Sequence, residues 1–190
     1  MEHFFQNIYG WFDYQDLYSN VIKSLPDNSK IVEIGAYKGC STSFLAVEII
    51  NSGKNIKLDV IDSWNGENET EAPWQSYVGA IDKPTGDIFE DFKKNLAPVF
   101  HIINPVQSLS TPAAALYEDK SLDFIFIDGD HNYEGINKDL HAWRPKMKDG
   151  AIMAGHDYNP HSFPGVIKAV DDFFGKQNVN VINGSWLVNL

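Results

Sequence analysis

Short β-branched runs alternate with amphipathic stretches along most of this chain, and that alternation is the pattern of βα units wrapped around a parallel sheet. Five strands follow from it: Lys30 to Ile34, Lys57 to Ile61, Val99 to Ile103, Asp123 to Ile127 and Ala151 to Ala154. Between them, apolar residues recur near the helical period. Ile88, Phe89, Phe92 and Leu96 form one such set, and Ile136, Leu140, Trp143 and Met147 another, closed by Gly150. Thr111 followed by Pro112 opens a further helix as cap and first residue. After Gly165 a helix carries Val166, Ile167, Val170, Phe173 and Phe174. The chain then reaches NVNVI and SWLVNL around Asn183-Gly184, a hairpin signal that ends the sheet antiparallel. The expected class is α/β, a doubly wound, mostly parallel sheet, with residues 1–190 as a single domain.

Composition narrows the partners. With 26 acids against 15 Lys and Arg, the formal net charge of −11 opposes a nucleic-acid backbone, and no basic stripe offsets it. Cys40 is the only cysteine, so no disulfide forms within the chain. No apolar run reaches the ~18 residues of a membrane span, and the N-terminus lacks a basic region followed by an apolar one. A cytoplasmic protein without nucleic-acid or membrane partners is the expectation.

In an open α/β sheet, ligands sit beyond the carboxyl ends of the strands. The first strand ends in GAYKGCS, where Gly35 and Gly39 allow a tight turn and Ser41 is placed to cap the next helix. This stretch lacks the third glycine of G-x-G-x-x-G and the Lys-Ser/Thr of a P-loop. The second strand delivers Asp62, whose carboxylate can accept two hydrogen bonds from a ribose diol. The fourth ends in IDGDHNYE, with Asp128, Asp130 and His131, and the fifth in GHDY, with His156 and Asp157.

Taken in order, GWFDYQ, IVEIGAYKGCSTSFLA, VIDSWNG, SLDFIFIDGDHNYE, DGAIMAGHDY and PGVIKAVDDFF resemble the class I S-adenosylmethionine-dependent methyltransferases, in particular the small branch of macrocin and aminocoumarin sugar O-methyltransferases. The resemblance implies a seven-stranded sheet with an antiparallel last strand. It also implies that Glu33, Gly35, Gly39 and Ser41 lie against the methionine moiety of the cofactor, with Asp62 on the ribose hydroxyls, Trp64 and Ser108 near the adenine, and Asp128 on the cofactor side of the cleft.

The sulfonium of S-adenosylmethionine is already activated, so the protein must align an acceptor and remove its proton. The resemblance implies a divalent cation, Mg²⁺ or Mn²⁺, on Asp128 and an acidic pair after strand five. That pair is His156-Asp157 here, and imidazole suits manganese, iron or zinc better than magnesium. The expected ligands are Asp128, His156 and Asp157. Asp130 matches the position of the base in sugar methyltransferases, while His131 has the more suitable intrinsic pKa, ~6.5 against ~3.9. Both stand as the catalytic candidates.

Two segments remain. Residues 63–86, rich in acids and aromatics, read as a lid or acceptor loop, with Trp74 and Tyr77 offering flat faces to a small-molecule acceptor. Residues 1–28 combine a helix with the aromatic cap FFQNIYGWFDYQ, which is suited to covering the cofactor, to packing on a second copy in a homodimer, or to closing the core. The alternatives to a methyltransferase are a phosphatase-like hydrolase using Asp128 and Asp130, and a non-catalytic S-adenosylmethionine-binding domain.

Overall fold

The computed structural model describes residues 1–65 and 87–190. Among these, one sheet contains β1 (Lys30–Ile34), β2 (Lys57–Asp62), β3 (Ile103–Gln107), β4 (Leu122–Ile127), β5 (Met147–Gly155), β6 (Asn180–Ile182) and β7 (Ser185–Asn189). Its order is β3-β2-β1-β4-β5-β7-β6. The first five strands run parallel, and β7 lies antiparallel to both β5 and β6. Asn183 and Gly184 both adopt positive φ, 48° and 77°, as the tight β6–β7 turn requires.

Alternation along the strands sorts the core onto two faces. Ile31, Leu58, Val60, Phe124 and Phe126 pack beneath α1 (Gln15–Ser24), α2 (Cys40–Ser52) and α3 (Ile88–Asn95). Val32, Ile61, Ile125 and Ile127 pack with α4 (Ser110–Ala114), α5 (Tyr133–Trp143) and α6 (Pro164–Phe174). The aromatic cap joins the first core: Phe12 contacts Phe5 and Phe44 edge-on or tilted, and Tyr14 lies 4.5 Å from Phe126 between ring centres.

Four local expectations change, and the first is that the helix through Ile136, Leu140 and Trp143 ends at Trp143, with Met147 and Gly150 already in β5. Val99 to Ile103 is not a strand. Phe100–Ile102 is a 3-10 turn, and β3 starts at Ile103 and runs through Pro105, which is tolerated because β3 is the sheet edge. The fifth strand is longer than Ala151 to Ala154, beginning at Met147, with a register shift opposite Leu122 and Phe124. The short helix near Pro112 begins at Ser110 with Leu109 before it, so Thr111 is inside the helix instead of capping it. Trp74, Tyr77 and nearly all of segment 63–86 lie outside the described residues.

Candidate active site

The strand order reverses between β1 and β4, and a cavity of about 1140 Å³ opens at the carboxyl ends beside that point. A pocket for one small ligand usually occupies about 300–1,000 Å³, and this space exceeds that range.

Gly35 forms the floor. Its φ is +83°, and a Cβ there would stand 1.9 Å from the carbonyl oxygen of Asp128, so only glycine lets the β1 turn pass this close to the β4 end. Asp62 shapes the same turn. Its Oδ2 accepts the backbone N–H of both Ala36 and Tyr37 at 2.8 Å, and its Oδ1 accepts that of Trp64 at 2.7 Å. Burial pushes the Asp62 carboxyl upward in pKa, and these backbone donors work against the rise. The carboxylate is thus held by the backbone of both the β1 turn and the residues that follow β2. Trp64 lines the cavity while its ring packs on Phe89 and Phe92 at 4.6 and 4.7 Å, and its Nε1 donates to the Tyr37 carbonyl. Ser108, whose N–H is bound by the Asp62 carbonyl, also faces the cavity.

Glu33 does not reach it. In β1 it shares the face of Ile31, is wholly buried, and accepts hydrogen bonds from Tyr18, Ser41 and Thr42. Desolvation lifts its pKa to about 7 despite those three donors. Through these bonds Glu33, expected against the methionine moiety, ties α1 and α2 to the sheet. Ser41 lines the cavity, but its hydroxyl serves Glu33 and does not cap α2, whose N-cap is Gly39. Gly39 likewise lies off the cavity wall: at φ +90° it packs against Leu96, where a Cβ would come within 2.9 Å.

At the other end, β4 and β5 bring Asp128, Asp130, His131, His156 and Asp157 to one wall. His131 Nε2 stands 2.9 Å from Asp157 Oδ2, and its ring lies 5.0 Å from that of Phe163. Asp157 holds a left-handed backbone, φ +61°, a conformation that Asp tolerates better than most residues and that here accompanies its turn toward His131. Among the described residues, Asp128, His131 and Asp157 offer ligand atoms all within 4.8 Å of one another, a group able to hold a cation. The expected third ligand, His156, is arranged differently. Its Nδ1 is 3.3 Å from Asp157 and 3.8 Å from Asp128, while its Nε2 faces Asp13 at 3.0 Å. Asp130 turns over the first turn of α5, where Gly135 leaves room for its carboxylate and Asn132 provides the cap.

Two contributors escaped the sequence reading. Tyr14 donates its hydroxyl to Asp128 Oδ2 at 3.1 Å, and Asp13 meets His156. The aromatic density around them was the one available signal, and it did not reveal which partners lay more than 100 positions away. Burial pushes Asp128 upward in pKa, with His156 opposing and Asp157 adding to the rise. Burial and the neighbouring Asp128 and Glu33 also raise Tyr14, keeping its phenol a proton donor. Cys40, pushed up to about 11 by burial, is no nucleophile.

Known proteins share this arrangement of strands. The structure of the O-methyltransferase NovP superposes with a TM-score of 0.69 at 15% identity, over 92% of this chain and 78% of that one. CalS11, described as a TDP-rhamnose 3'-O-methyltransferase of calicheamicin biosynthesis, gives 0.60 at 15% identity over 92% and 76%. A SAM-dependent O-methyltransferase from Thermotoga maritima gives 0.58 at 12% identity over 86% and 52%. In sequence, uncharacterized protein y4gI of Sinorhizobium fredii (strain NBRC 101917 / NGR234) is 21% identical over 128 residues, which is 67% of this chain and 13% of the relative's length. The family model described as "Methyltransferase domain" matches residues 32–158, from inside β1 to just past Asp157, and the chain belongs to that family.

Proposed function

We propose that the protein transfers a methyl group from S-adenosylmethionine to a hydroxyl of a small-molecule acceptor, a sugar, glycoside or phenol. The observation that carries this reading is one cavity with two chemically distinct ends. The Gly35 turn, Asp62, Trp64 and Ser108 form a wall suited to an adenosyl ligand, and the Asp128–His131–Asp157 group faces it. Asp62 lines the adenosyl end, where a ribose hydroxyl would meet its carboxylate, and the acid-lined wall favours a cationic sulfonium. Beside it, His131, whose Nε2 meets Asp157, is the imidazole on this wall suited to take the acceptor's proton as the methyl group moves. Asp128, His131 and Asp157 would alternatively hold a divalent cation, which supplies acidification of the acceptor hydroxyl; two carboxylates and an imidazole suit manganese, iron or zinc over magnesium. In that case His131 is a ligand, and Asp130, on the same wall, takes the proton.

The match to a methyltransferase family leaves the phosphatase-like alternative without support. A binding domain without turnover is the remaining competitor. Calorimetry with S-adenosylmethionine and S-adenosylhomocysteine, followed by labelled methyl transfer to hydroxylated acceptors with and without chelator, tests the reading. Micromolar binding of both ligands is expected, and failure to bind either one would overturn it.

A further inference from the structure

Asp130 and His131 are adjacent in the chain, yet their side chains are engaged by different parts of the fold. Oδ1 of Asp130 accepts the backbone N–H of Asn132 at 3.4 Å, which closes a turn with His131 at its centre. Oδ2 and Cγ of Asp130 lie against Gly135 in the first turn of α5, where a Cβ would collide with both. Asn132 continues the same fixture, because its Oδ1 accepts the N–H of Gly135 at 2.9 Å as the cap of α5.

A second helix presses on this loop. Gly165, in the first turn of α6, comes so near that a Cβ there would stand 2.7 Å from the Tyr133 nitrogen and 3.1 Å from the Asn132 carbonyl carbon. Neither glycine has a positive φ. Both sit in helical backbone, where alanine is the favoured residue, so close approach is what they supply. Phe163, immediately before α6, adds its ring 5.0 Å from that of His131. Within this enclosure the imidazole meets Asp157 Oδ2 through Nε2 at 2.9 Å. Asp130 borders the cavity too, but an oxygen that left the turn to reach an acceptor would release the Asn132 N–H and the loop that carries the imidazole.

We propose that Asp130 is a positioning residue: its carboxylate fixes the turn that aims His131 at Asp157, and it acts on the acceptor through that imidazole instead of touching it. The inference rests on the methyltransferase reading and narrows it, favouring the arrangement in which His131 takes the acceptor's proton.

The test follows His131 in the full chain by NMR with isotope-labelled histidine and chelator present, the signal being assigned by its loss in His131→Gln. Two properties report where the ring lies: the nitrogen shift of Nε2, set by Asp157, and the ring-current shift of the carbon-bound protons, set by Phe163. Asp130→Asn keeps an oxygen for the Asn132 N–H and should leave both unchanged. Asp130→Ala removes that oxygen and should abolish both, with S-adenosylhomocysteine affinity retained. Gly135→Ala introduces a good helix former but puts a methyl group where the carboxylate sits, so it should abolish both as well, and it carries the test should Asp130→Ala not fold. Either alanine variant folding with both signatures intact overturns the proposal. An Asp130→Asn protein that loses them does so too, since charge and not the turn would then place the ring. Failure of the unaltered protein to bind S-adenosylhomocysteine would instead overturn the methyltransferase reading, a result measured apart from the imidazole shifts.

Discussion

Asp13 and His156, 143 positions apart, meet through Oδ1 and Nε2 at 3.0 Å, and the next residue, Tyr14, donates its hydroxyl to Asp128. One short N-terminal stretch thus orients two members of the wall formed by β4 and β5. Asp13→Ala should leave the fold and S-adenosylhomocysteine affinity intact while lowering turnover, because His156, which faces Asp128 and Asp157 through Nδ1, loses the partner on its Nε2. Tyr14→Phe keeps the ring against Phe126 but removes a donor to a buried carboxylate, and should cost about 1–3 kcal/mol in urea unfolding. Unchanged turnover in the first variant would make the Asp13 contact incidental.

Asp62 has a double attachment, to the β1 turn and to Trp64. A residue that only touched ligand would lose affinity on truncation and nothing else. Asp62→Ala is expected to lower stability by about 2 kcal/mol or more, because three backbone N–H groups lose their acceptor, and to weaken S-adenosylmethionine binding as well. Parallel denaturation and calorimetry separate the two effects; full stability with lost affinity would contradict the structural clasp.

Glu33 gives a pH prediction with a definite sign. Its native pKa is raised from 4.5 to about 7, so between those values the folded protein binds the extra proton and stability falls as pH rises. The contribution is fully present below the unfolded pKa and lost by the time pH passes about 7, a change of about 3 kcal/mol. Glu33→Gln removes the titration. The stability of the original protein relative to this variant should decline from pH 4.5 to pH 8, measured by urea unfolding; a gap that is flat or grows with pH contradicts the assignment.

Asparagine accommodates the left-handed backbone at position 157, so Asp157→Asn preserves the turn while removing one carboxylate from the Asp128–His131–Asp157 group. If the group takes a cation, Mn²⁺ at about 100 times its dissociation constant should stabilise the unaltered protein by about 2.7 kcal/mol and the variant far less. Equal thermal shifts in the two proteins would remove Asp157 from the ligand set.

The central strands were legible because Ile31 to Ile34, Leu58 to Ile61 and Phe124 to Ile127 are apolar enough to be buried on both faces. The β3 edge was not. Val99 and Ile103 drew the strand too early, and Pro105 disguised its true course. Glu33 shows a different limit: a carboxylate near a glycine turn looks like a ligand contact until its parity with Ile31 places it under α1 and α2. The placing of His131 and His156 was hidden for a related reason. Sequence order brings both to strand ends, but side-chain direction decides which one faces Asp157 through Nε2 and which one turns toward Asp13.

The bonds from Asp62 to Ala36 and Tyr37 also have a consequence for timing. The turn receives its shape from the protein's own carboxylate as the chain folds, before any ligand arrives. Binding there need not freeze those backbone torsions anew, so little of the association free energy is lost to ordering the floor of the cavity. Conformational adjustment on ligand entry is left to parts of the chain that Asp62 does not tie.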